Sequence, residues 1–458
     1  MSIIVPLSMP FGNRFSIILG VTAVAVILCA ISFDIIPLIL LPFMVLLVPV
    51  LIFMPRWLLI LFVLSFPFGI PSISMSFNMV LFPADVVLMM LVIALFTAKR
   101  EPLELPDNRL VKLTYLLFTV FVLSLIVNIP ILSFKGLLHG AWYLFMFCKL
   151  VFIYWLGVYV GRNPREKRYL QNLFLIVSTI PVFVEIVQVF IIKDPLSIKW
   201  GALGTNGQHH SGMGVFLCLP LFMAFGRILE EKRLFSKYTL LLLFYVLGIL
   251  LSQSRSMLLG IIAIVPLVIY LNWRKFGFKN IVVFLTIIIF FAVVSGQAEK
   301  VMSRTLTTKG KEIDYSSLSR LVIWKSAFLT FRDFEWPQKL FGCGIGNITE
   351  TIRLIFPIDN GSRHPSGGHN NYIHVLIEAG MVGLAVFLAF LSRIVLILWK
   401  SVKQNNEVMA FFLLTLVMLL GAIVQEFFWM ASWHAYSFGA FLFFLGLLPI
   451  STGNRKAS

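Results

Sequence analysis

The sequence predicts an all-α polytopic membrane protein. Of its 458 residues, 59% are hydrophobic and only 12% are charged, whereas about a quarter of the residues in a soluble domain are charged. Apolar runs of roughly 17–25 residues, the length that a helix needs to cross a bilayer, recur from one end of the chain to the other. The alternating segments of about ten residues that are typical of a transmembrane β-barrel do not appear.

The apolar runs give about fourteen candidate spans, or about twelve if some early segments are re-entrant. The third segment, which ends at the turn Pro67–Pro71, is the weakest candidate. The segments cover residues 15–33, 36–54, 57–72, 79–97, 113–129, 138–160, 170–192, 211–226, 238–252, 256–272, 280–296, 372–398, 408–428 and 435–450.

The charge pattern predicts which loops lie on which side. The formal net charge is +17, and in a soluble protein such an excess would suggest a nucleic-acid partner. Here most Lys and Arg residues lie in every second loop, so the positive-inside rule explains the excess and no nucleic acid is expected. This rule puts the basic loops and both termini in the cytoplasm. The four cysteines form no CxxC pattern that would predict a metal site or a disulfide.

One long polar interruption divides the chain into three predicted parts. Residues 1–296 form transmembrane helices, residues 297–371 form a large external loop domain, and residues 372–458 return to the membrane. Within the loop, the run SSLSRLVIWKSAFLTF has apolar residues at helical spacing and a serine-rich start suited to a helix cap. We therefore expect an ordered cap of short helices on the external face.

Two arginines are candidates for binding a phosphate group. Arg255 ends the turn SQSR between two spans, and Arg320 lies in the loop run SSLSRLVIW. A guanidinium group suits phosphate because its fork of N–H donors meets two oxygens at once. The alternatives are an interfacial Arg255 that reaches lipid phosphates and an Arg320 on the surface of a loop helix. The glycine-rich LFGCGIGN that follows Arg320 predicts a tight turn with exposed backbone N–H groups.

Two polar segments next to spans supply further candidates. In HNNYIHVLIEAG, His369 precedes a span, where a neutral imidazole can accept a proton from a hydroxyl. Asn370, which follows it, is a candidate for substrate binding. In GALGTNGQHHSGMG, Asn206 and His210 are candidates for sugar or phosphate contacts, or form a simple polar turn. No metal site is predicted, because the histidines match no zinc spacing and no thiolate ligands accompany them. Roles for His209, His364 and His374 do not follow from the pattern.

Together these residues fit a donor that carries a lipid pyrophosphate. Two guanidinium groups would stabilise the charge that develops on a leaving diphosphate, and His369 would deprotonate or orient the attacking hydroxyl. The external segments contain no DxD-like acidic motif, so a mechanism without a metal or other cofactor is favoured. A transporter is the rival from another class, because Lys149, Glu185, Arg393 and Glu426 lie in or near predicted spans.

Three pieces in this order resemble the O-antigen ligase family of bacterial inner-membrane glycosyltransferases. They are the SxSR turn at 252–255, the SR-x3-W segment at 319–324 with its LFGCGIGN turn, and the HN start at 369–370 with Gly380 eleven residues on. The resemblance covers the chain from about Gly204 onward. The serine after Arg255 departs from the glycine or threonine of many relatives, which affects the shape of that turn.

The resemblance implies a GT-C-like helical enzyme that inverts the anomeric centre without metal or ATP. Its donor would be a glycan on undecaprenyl pyrophosphate, bound by Arg255 and Arg320, and His369 would activate the acceptor hydroxyl at the periplasmic face. The acceptor would be lipid A–core for a ligase, the slightly favoured reading. For a repeat-unit polymerase it would be another lipid-linked glycan. Membrane lipids are the other expected partner.

Overall fold

The structure is a computed structural model that describes most of the predicted spans. It covers residues 55–67, 73–74, 80–81, 83–97, 108–187, 190, 210–233, 236–252, 254–276, 315–355, 368–423 and 435–449. The predicted spans 15–33, 36–54 and 280–296 lie outside these residues. The helices are α1 (Pro55–Ser65), α2 (Pro83–Thr97), α3 (Asn108–Asn128), α4 (Phe134–Gly161), α5 (Pro164–Val177), α6 (Thr179–Ile186), α7 (His210–Glu231), α8 (Lys237–Leu251), α9 (Arg255–Phe276), α10 (Tyr315–Asp333), α11 (Trp336–Phe341), α12 (Ile348–Thr351), α13 (Asn371–Ser401), α14 (Asn406–Gly421) and α15 (Ala435–Gly446).

The predicted fold class is confirmed: the protein is an all-α polytopic membrane protein. Within the described ranges, five helical segments are long and apolar enough to cross a membrane, and six shorter helices of 10–17 residues are also apolar. The long segments are Arg109–Asn128, Phe134–Gly161, Pro164–Ile186, Gly212–Glu231 and Asn371–Ser401.

Residues 1–74 and 80–102 form one compact unit of the chain. Its described elements are α1, α2 and a short antiparallel pair, β1 (Ile73–Ser74) and β2 (Val80–Leu81). The two helices pack against each other. The predicted third span, 57–72, is shorter in the structure, because α1 ends at Ser65 just before Pro67. A proline one or two residues past a helix end is common because it cannot continue the helix.

The second unit contains the remaining helices. Contacts between the ends of α7, α13 and α14 define two opposite ends of this unit. Asn406 donates from Nδ2 to the Leu229 carbonyl at 3.1 Å, so the end of α7 meets the start of α14. At the other end of α14, the Asn371 N–H donates to the Ala422 carbonyl at 2.9 Å. We call the end that contains Asn371 and Ala422 the loop end of this unit, and the opposite one the charged end.

The charged end is held by ion pairs around Glu407, of which Arg227 is the buried member. Lys167 Nζ lies 2.5 Å from a Glu407 carboxylate oxygen, and Arg227 lies 3.6 Å from the other oxygen. Arg227 is buried and also donates to Gln171 at 2.6 Å and to Glu230 at 2.8 Å. These contacts tie α5, α7 and α14 together, so basic residues from two of the predicted cytoplasmic loops lie at the same end of the molecule.

Helix α13 is broken near the loop end by Gly380. This residue has φ 69° and ψ −168°, which interrupts the helical hydrogen-bond ladder. The carbonyls before the break find partners elsewhere. Cys343 N–H donates to the Ile377 carbonyl at 2.9 Å, and Ser124 Oγ of α3 donates to the Glu378 carbonyl at 2.5 Å. At this break, residues of another segment therefore form hydrogen bonds with the backbone of a long span.

The segment that enters the break is the glycine-rich turn after α11. At Gly342 (φ 77°), an added Cβ would lie only 2.2 Å from the Glu378 carbonyl carbon. At Gly380, an added Cβ would lie 2.3 Å from the Leu340 carbonyl oxygen. Asn128 at the end of α3 fixes the contact, because its Nδ2 donates to the Gly342 carbonyl at 2.8 Å.

We expect Gly342→Ala to destabilise the folded protein by more than about 1–2 kcal/mol, because a side chain there adds left-handed strain to a backbone clash. The measurement is the thermal unfolding midpoint in detergent. Gly439→Ala is the matched control: its nearest neighbour, Ile153 Cδ1, would lie 3.4 Å from the new Cβ. The control should keep or raise the midpoint, since alanine is about 0.5–1 kcal/mol better than glycine inside a helix. Equal midpoints for both variants would contradict the packing account.

Candidate functional site

The start of α13 is fixed by an asparagine cap. Asn370 Oδ1 accepts from the backbone N–H groups of Tyr372 at 2.9 Å and Ile373 at 3.0 Å. Its Nδ2 donates to the Ile423 carbonyl at 2.7 Å. An asparagine satisfies helix N-terminal N–H groups in this way because its side-chain oxygen reaches the second and third helical residues. The Asn370 amide, a candidate for substrate contact, thus holds the helix start against the end of α14.

His369 stands immediately before this cap in an unusual backbone conformation. Its φ is 48°, one of two positive values among the described non-glycine residues. A positive φ at a residue other than glycine is uncommon, and such conformations concentrate at functional sites. The side chain is partly exposed. The imidazole is therefore presented from a constrained backbone at the loop end, next to a helix start that has little freedom to move.

Helix α10 brings Arg320 to the same region. Ile323 and Ala327 of α10 are buried in a hydrophobic cluster with Ile373 and Ile377 of α13. Arg320 precedes Ile323 by three residues, so the two side chains share one face of the helix. Arg320 is partly exposed and lies on the face that packs towards the start of α13. This position differs from that of an outward surface arginine, the alternative that the sequence left open.

The SxSR turn also lies at the loop end. An added Cβ at Gly214 in α7 would lie 2.3 Å from Ser254 Cβ, so the start of α7 packs closely on this turn. Arg255 begins α9. Helix α9 contacts α14 where Gly260 meets Val417. Arg255 precedes Gly260 by five residues and Ala422 follows Val417 by five, so both lie about 7–8 Å beyond that contact.

The backbone of Arg255, the inward face of α10 and the start of α13 therefore lie at the same end of the unit. These are the three pieces that the sequence singled out. Of the other predicted site residues, His210 begins α7 at the same end. Asn206, His209 and His364 lie outside the described residues. Among those residues, no three His, Cys, Asp or Glu side chains cluster in a way that could hold a metal ion.

The glycine-rich turn is tight, as predicted, but it is not exposed. Gly342, Gly344 and Gly346 all have positive φ, and every residue from 342 to 348 is buried. The predicted exposure of its N–H groups is wrong, because the turn packs into the junction of α3 and α4. Burial, with a contribution from the Glu378 carboxylate, raises the pKa of the Cys343 thiol to about 12. Cys343 is consequently a protonated structural residue at neutral pH.

A buried pair in α13 was missed by the sequence reasoning. Glu378 is fully buried, and its Oε1 lies 3.2 Å from His374 Nε2. The same oxygen accepts the Ile348 backbone N–H at 3.1 Å, so the carboxylate ties the glycine-rich turn to α13. A carboxylate inside an apolar run is costly in a membrane unless it is paired. The position of Glu378 within an apolar run therefore indicated, from the sequence, that its carboxylate has a buried partner.

We expect Glu378→Ala to destabilise the folded protein by about 1–3 kcal/mol, because it leaves the buried Ile348 N–H without its acceptor and removes the carboxylate beside His374. Thermal unfolding in detergent measures this loss. Glu350→Ala is the control, since Glu350 forms a half-exposed pair with Lys135 at 3.2 Å and such pairs contribute about 0–1 kcal/mol. A small shift for Glu378→Ala, similar to that of the control, would refute the structural role.

Comparison with known proteins finds a similarity over part of the chain. Residues 240–388 match the family model described as O-antigen ligase, and no curated protein matches the chain significantly. The matched region begins in α8 and ends in α13, so it contains the SxSR turn, α10, the buried turn and the HN start. The family is of the O-antigen ligase and polymerase type, whose members are glycosyltransferases. Residues 240–388 of this multi-pass membrane protein are thus similar to the O-antigen ligase family.

Proposed function

We propose that this protein transfers a glycan from undecaprenyl pyrophosphate to an acceptor hydroxyl at the periplasmic face of the bacterial inner membrane. The observation that carries the proposal is that Arg320, His369 and the Arg255 turn belong to elements that all lie at the loop end. Each residue lies far from the others in sequence, and packing of the fold accounts for their common location. A lipid-linked donor reaches such a location without leaving the bilayer.

The donor's diphosphate is the group that Arg255 and Arg320 would bind. Guanidinium groups bind two phosphate oxygens at once, and they retain their charge at any physiological pH. As the bond between the anomeric carbon and the diphosphate oxygen breaks, negative charge accumulates on the leaving group. Cationic donors fixed around that oxygen stabilise the transition state more than the ground state. Both arginines would therefore act on the leaving group.

His369 would act on the acceptor. The acceptor oxygen forms a bond to the anomeric carbon from the side opposite the diphosphate, and its proton passes to the imidazole of His369. The products are the glycosylated acceptor and undecaprenyl pyrophosphate. One displacement of this kind inverts the anomeric configuration. Asn370 would act as a positioning residue, because its hydrogen bonds to Tyr372, Ile373 and Ile423 determine where His369 stands.

The acceptor decides between a ligase and a polymerase. With lipid A–core as the acceptor the protein would be a ligase, which is the hypothesis we favour. With a second lipid-linked repeat unit as the acceptor it would be a polymerase. The proposed chemistry at the donor is the same in both cases. The charged end, with Lys167 and Arg227, would face the cytoplasm under the positive-inside rule, which leaves the loop end on the periplasmic side.

Reconstitution tests this proposal. The purified protein in proteoliposomes would receive an undecaprenyl-pyrophosphate glycan, with lipid A–core present in one sample and absent from the other. Product formed only with lipid A–core supports a ligase, and longer lipid-linked chains without it support a polymerase. Absence of transfer in both samples, together with uptake of a solute, would replace the proposal by a transporter.

A chelator tests the proposed independence from metal. If the arginines supply the positive charge at the leaving group, transfer should continue at an unchanged rate in the presence of EDTA. Loss of transfer that Mg²⁺ or Mn²⁺ restores would show that a cation contributes to catalysis. The anomeric configuration of the product, determined by NMR, tests the inverting displacement.

A further inference from the structure

Helix α10 has a second apolar face that the described part of the chain does not cover. On the inward side, Ile323 and Ala327 are buried. On the outward side, Leu321 is 59% exposed and Phe328 is 55% exposed. A helix that is apolar on opposite sides is normally enclosed on both. The outward side of α10 therefore calls for an apolar environment that the described part of the chain does not supply.

The outward face is basic as well as apolar. Lys325 and Arg332 are exposed, and the spacing of Leu321, Lys325, Phe328 and Arg332 places all four along one stripe of the helix. We call this stripe the outer row. The one acidic residue of α10 is Asp333 at its last position, whose carboxylate pairs with Arg332 at 2.9 Å, so Lys325 is the cation of the row that has no acidic residue beside it in the helix. Apolar side chains mixed with Lys and Arg on one face are typical of helices that lie in the interface of a membrane containing anionic lipids.

The position of α10 brings the outer row near the membrane boundary. Its inward face packs on Ile373, the third residue of a segment that is long and apolar enough to span a membrane. Helix α10 itself does not meet the criteria for a span. A helix held against the first turn of a span lies at the depth where hydrocarbon gives way to headgroups, about 15 Å from the bilayer centre.

Neighbouring residues extend the apolar surface at this end. Trp336 in α11 is 70% exposed, and α11 is joined to the end of α3 by the Gln338–Asn128 hydrogen bond at 3.3 Å. Directly after α3, Ile129 and Ile131 are also exposed. Tryptophan is enriched at membrane interfaces because its ring is apolar with one polar N–H group. Exposed apolar side chains thus run from the end of a span to the helices of the loop.

We propose that α10 lies in the external membrane interface, with its outer row inserted among anionic lipid headgroups and the upper acyl chains. The opposite face of the same helix carries Arg320 towards the start of α13. Contact with lipid would thus fix the depth of Arg320 relative to the bilayer surface, where a lipid-linked diphosphate is located. The lipid contact itself requires no glycan substrate and no transfer activity.

Site-specific photo-cross-linking tests the proposal. Benzoylphenylalanine would replace Phe328 in the full-length protein, reconstituted in bilayers of phosphatidylethanolamine and phosphatidylglycerol. The matched control carries it at Asp333, which is 67% exposed on the same helix but about 100° around from the outer row. We expect several-fold more lipid adduct from position 328 than from position 333, measured by intact-protein mass spectrometry. The control is stringent, because the label makes position 333 more apolar than the native carboxylate and also frees Arg332 from its ion pair with Asp333, and both changes favour contact with lipid.

Three outcomes would overturn the inference. Equal lipid adduct at both positions would show that the outer row has no preferred contact with lipid. Cross-links from 328 to a second copy of the chain would replace lipid by a protein partner. Adduct yield at 328 that does not fall when phosphatidylglycerol is omitted would contradict the role given to Lys325 and Arg332. Unchanged thermal midpoints of both labelled proteins exclude misfolding as a cause of any difference.

Discussion

Replacement of Arg320 by alanine is expected to lower transfer by about 10²–10³-fold, the usual effect of removing one fixed donor from a developing negative charge. Lysine should restore little of this loss, because an ammonium group lacks the planar fork that meets two phosphate oxygens. The measurement is the rate of glycan transfer in proteoliposomes at saturating donor, with thermal midpoints for each variant. The turnover rate should fall more than donor affinity does, since the charge is greatest in the transition state.

Arg353→Ala is the matched control for Arg320. Arg353 belongs to the same described loop segment, 315–355, and its side chain is exposed. Its loss removes one positive charge from the same surface, so a general electrostatic effect on an anionic donor would appear in both variants. We expect the control to transfer at a rate within about twofold of the wild type. Equal losses in the two variants would eliminate a specific role for Arg320 in the site.

Replacement of His369 by asparagine is expected to abolish base catalysis and lower transfer by about 10²–10⁴-fold. Asparagine is a better test than alanine, because it tolerates the left-handed backbone that His369 adopts at φ 48°. The thermal midpoint should therefore stay near that of the wild type. Rates measured across pH provide a second readout, since the limb that reports the imidazole should disappear in the variant.

His369→Gly separates the chemistry from the backbone. Glycine adopts positive φ without strain, so this variant keeps the conformation and loses the imidazole. Both variants should be equally inactive and similarly stable. Transfer at the wild-type rate by a folded His369→Asn protein would remove the base assignment. Loss of activity accompanied by a large fall in the midpoint of both variants would show that His369 serves the fold instead.

Much of the architecture was predictable because membrane burial leaves a simple signal. The apolar runs at 113–129, 138–160 and 372–398 correspond to α3, α4 and α13, whose ends differ by a few residues. Three helices begin directly after a polar N-cap residue. Ser133, Asn163 and Asn405 each accept hydrogen bonds from the first turn of the helix that follows. Such N-caps can be predicted from a sequence because few residue types can provide them.

The interior of the site was less predictable, because its contacts join residues that are distant in sequence. Asn128 bonds to the carbonyl of Gly342, and Ser124 to that of Glu378. No local pattern pairs α3 with a turn more than two hundred residues later. The LFGCGIGN turn predicted tight backbone geometry correctly, but whether such a turn is exposed or buried depends on its neighbours. Asn347, which donates to the Gly136 and Ile345 carbonyls, contributes to that burial.

The break at Gly380 has a consequence for how the protein is assembled. In hydrocarbon, every unpaired backbone group costs several kcal/mol, so residues 371–401 would enter the bilayer at least cost as one continuous helix. The carbonyls of Ile377 and Glu378 can give up their hydrogen bonds within that helix only when Cys343 N–H and Ser124 Oγ are in place to donate to them. Both partners precede α13 in the chain, so they are synthesised first. The order of synthesis thus lets α13 be reshaped as it arrives, and its start is fixed only when α14, which is made afterwards, supplies the carbonyls of Ala422 and Ile423.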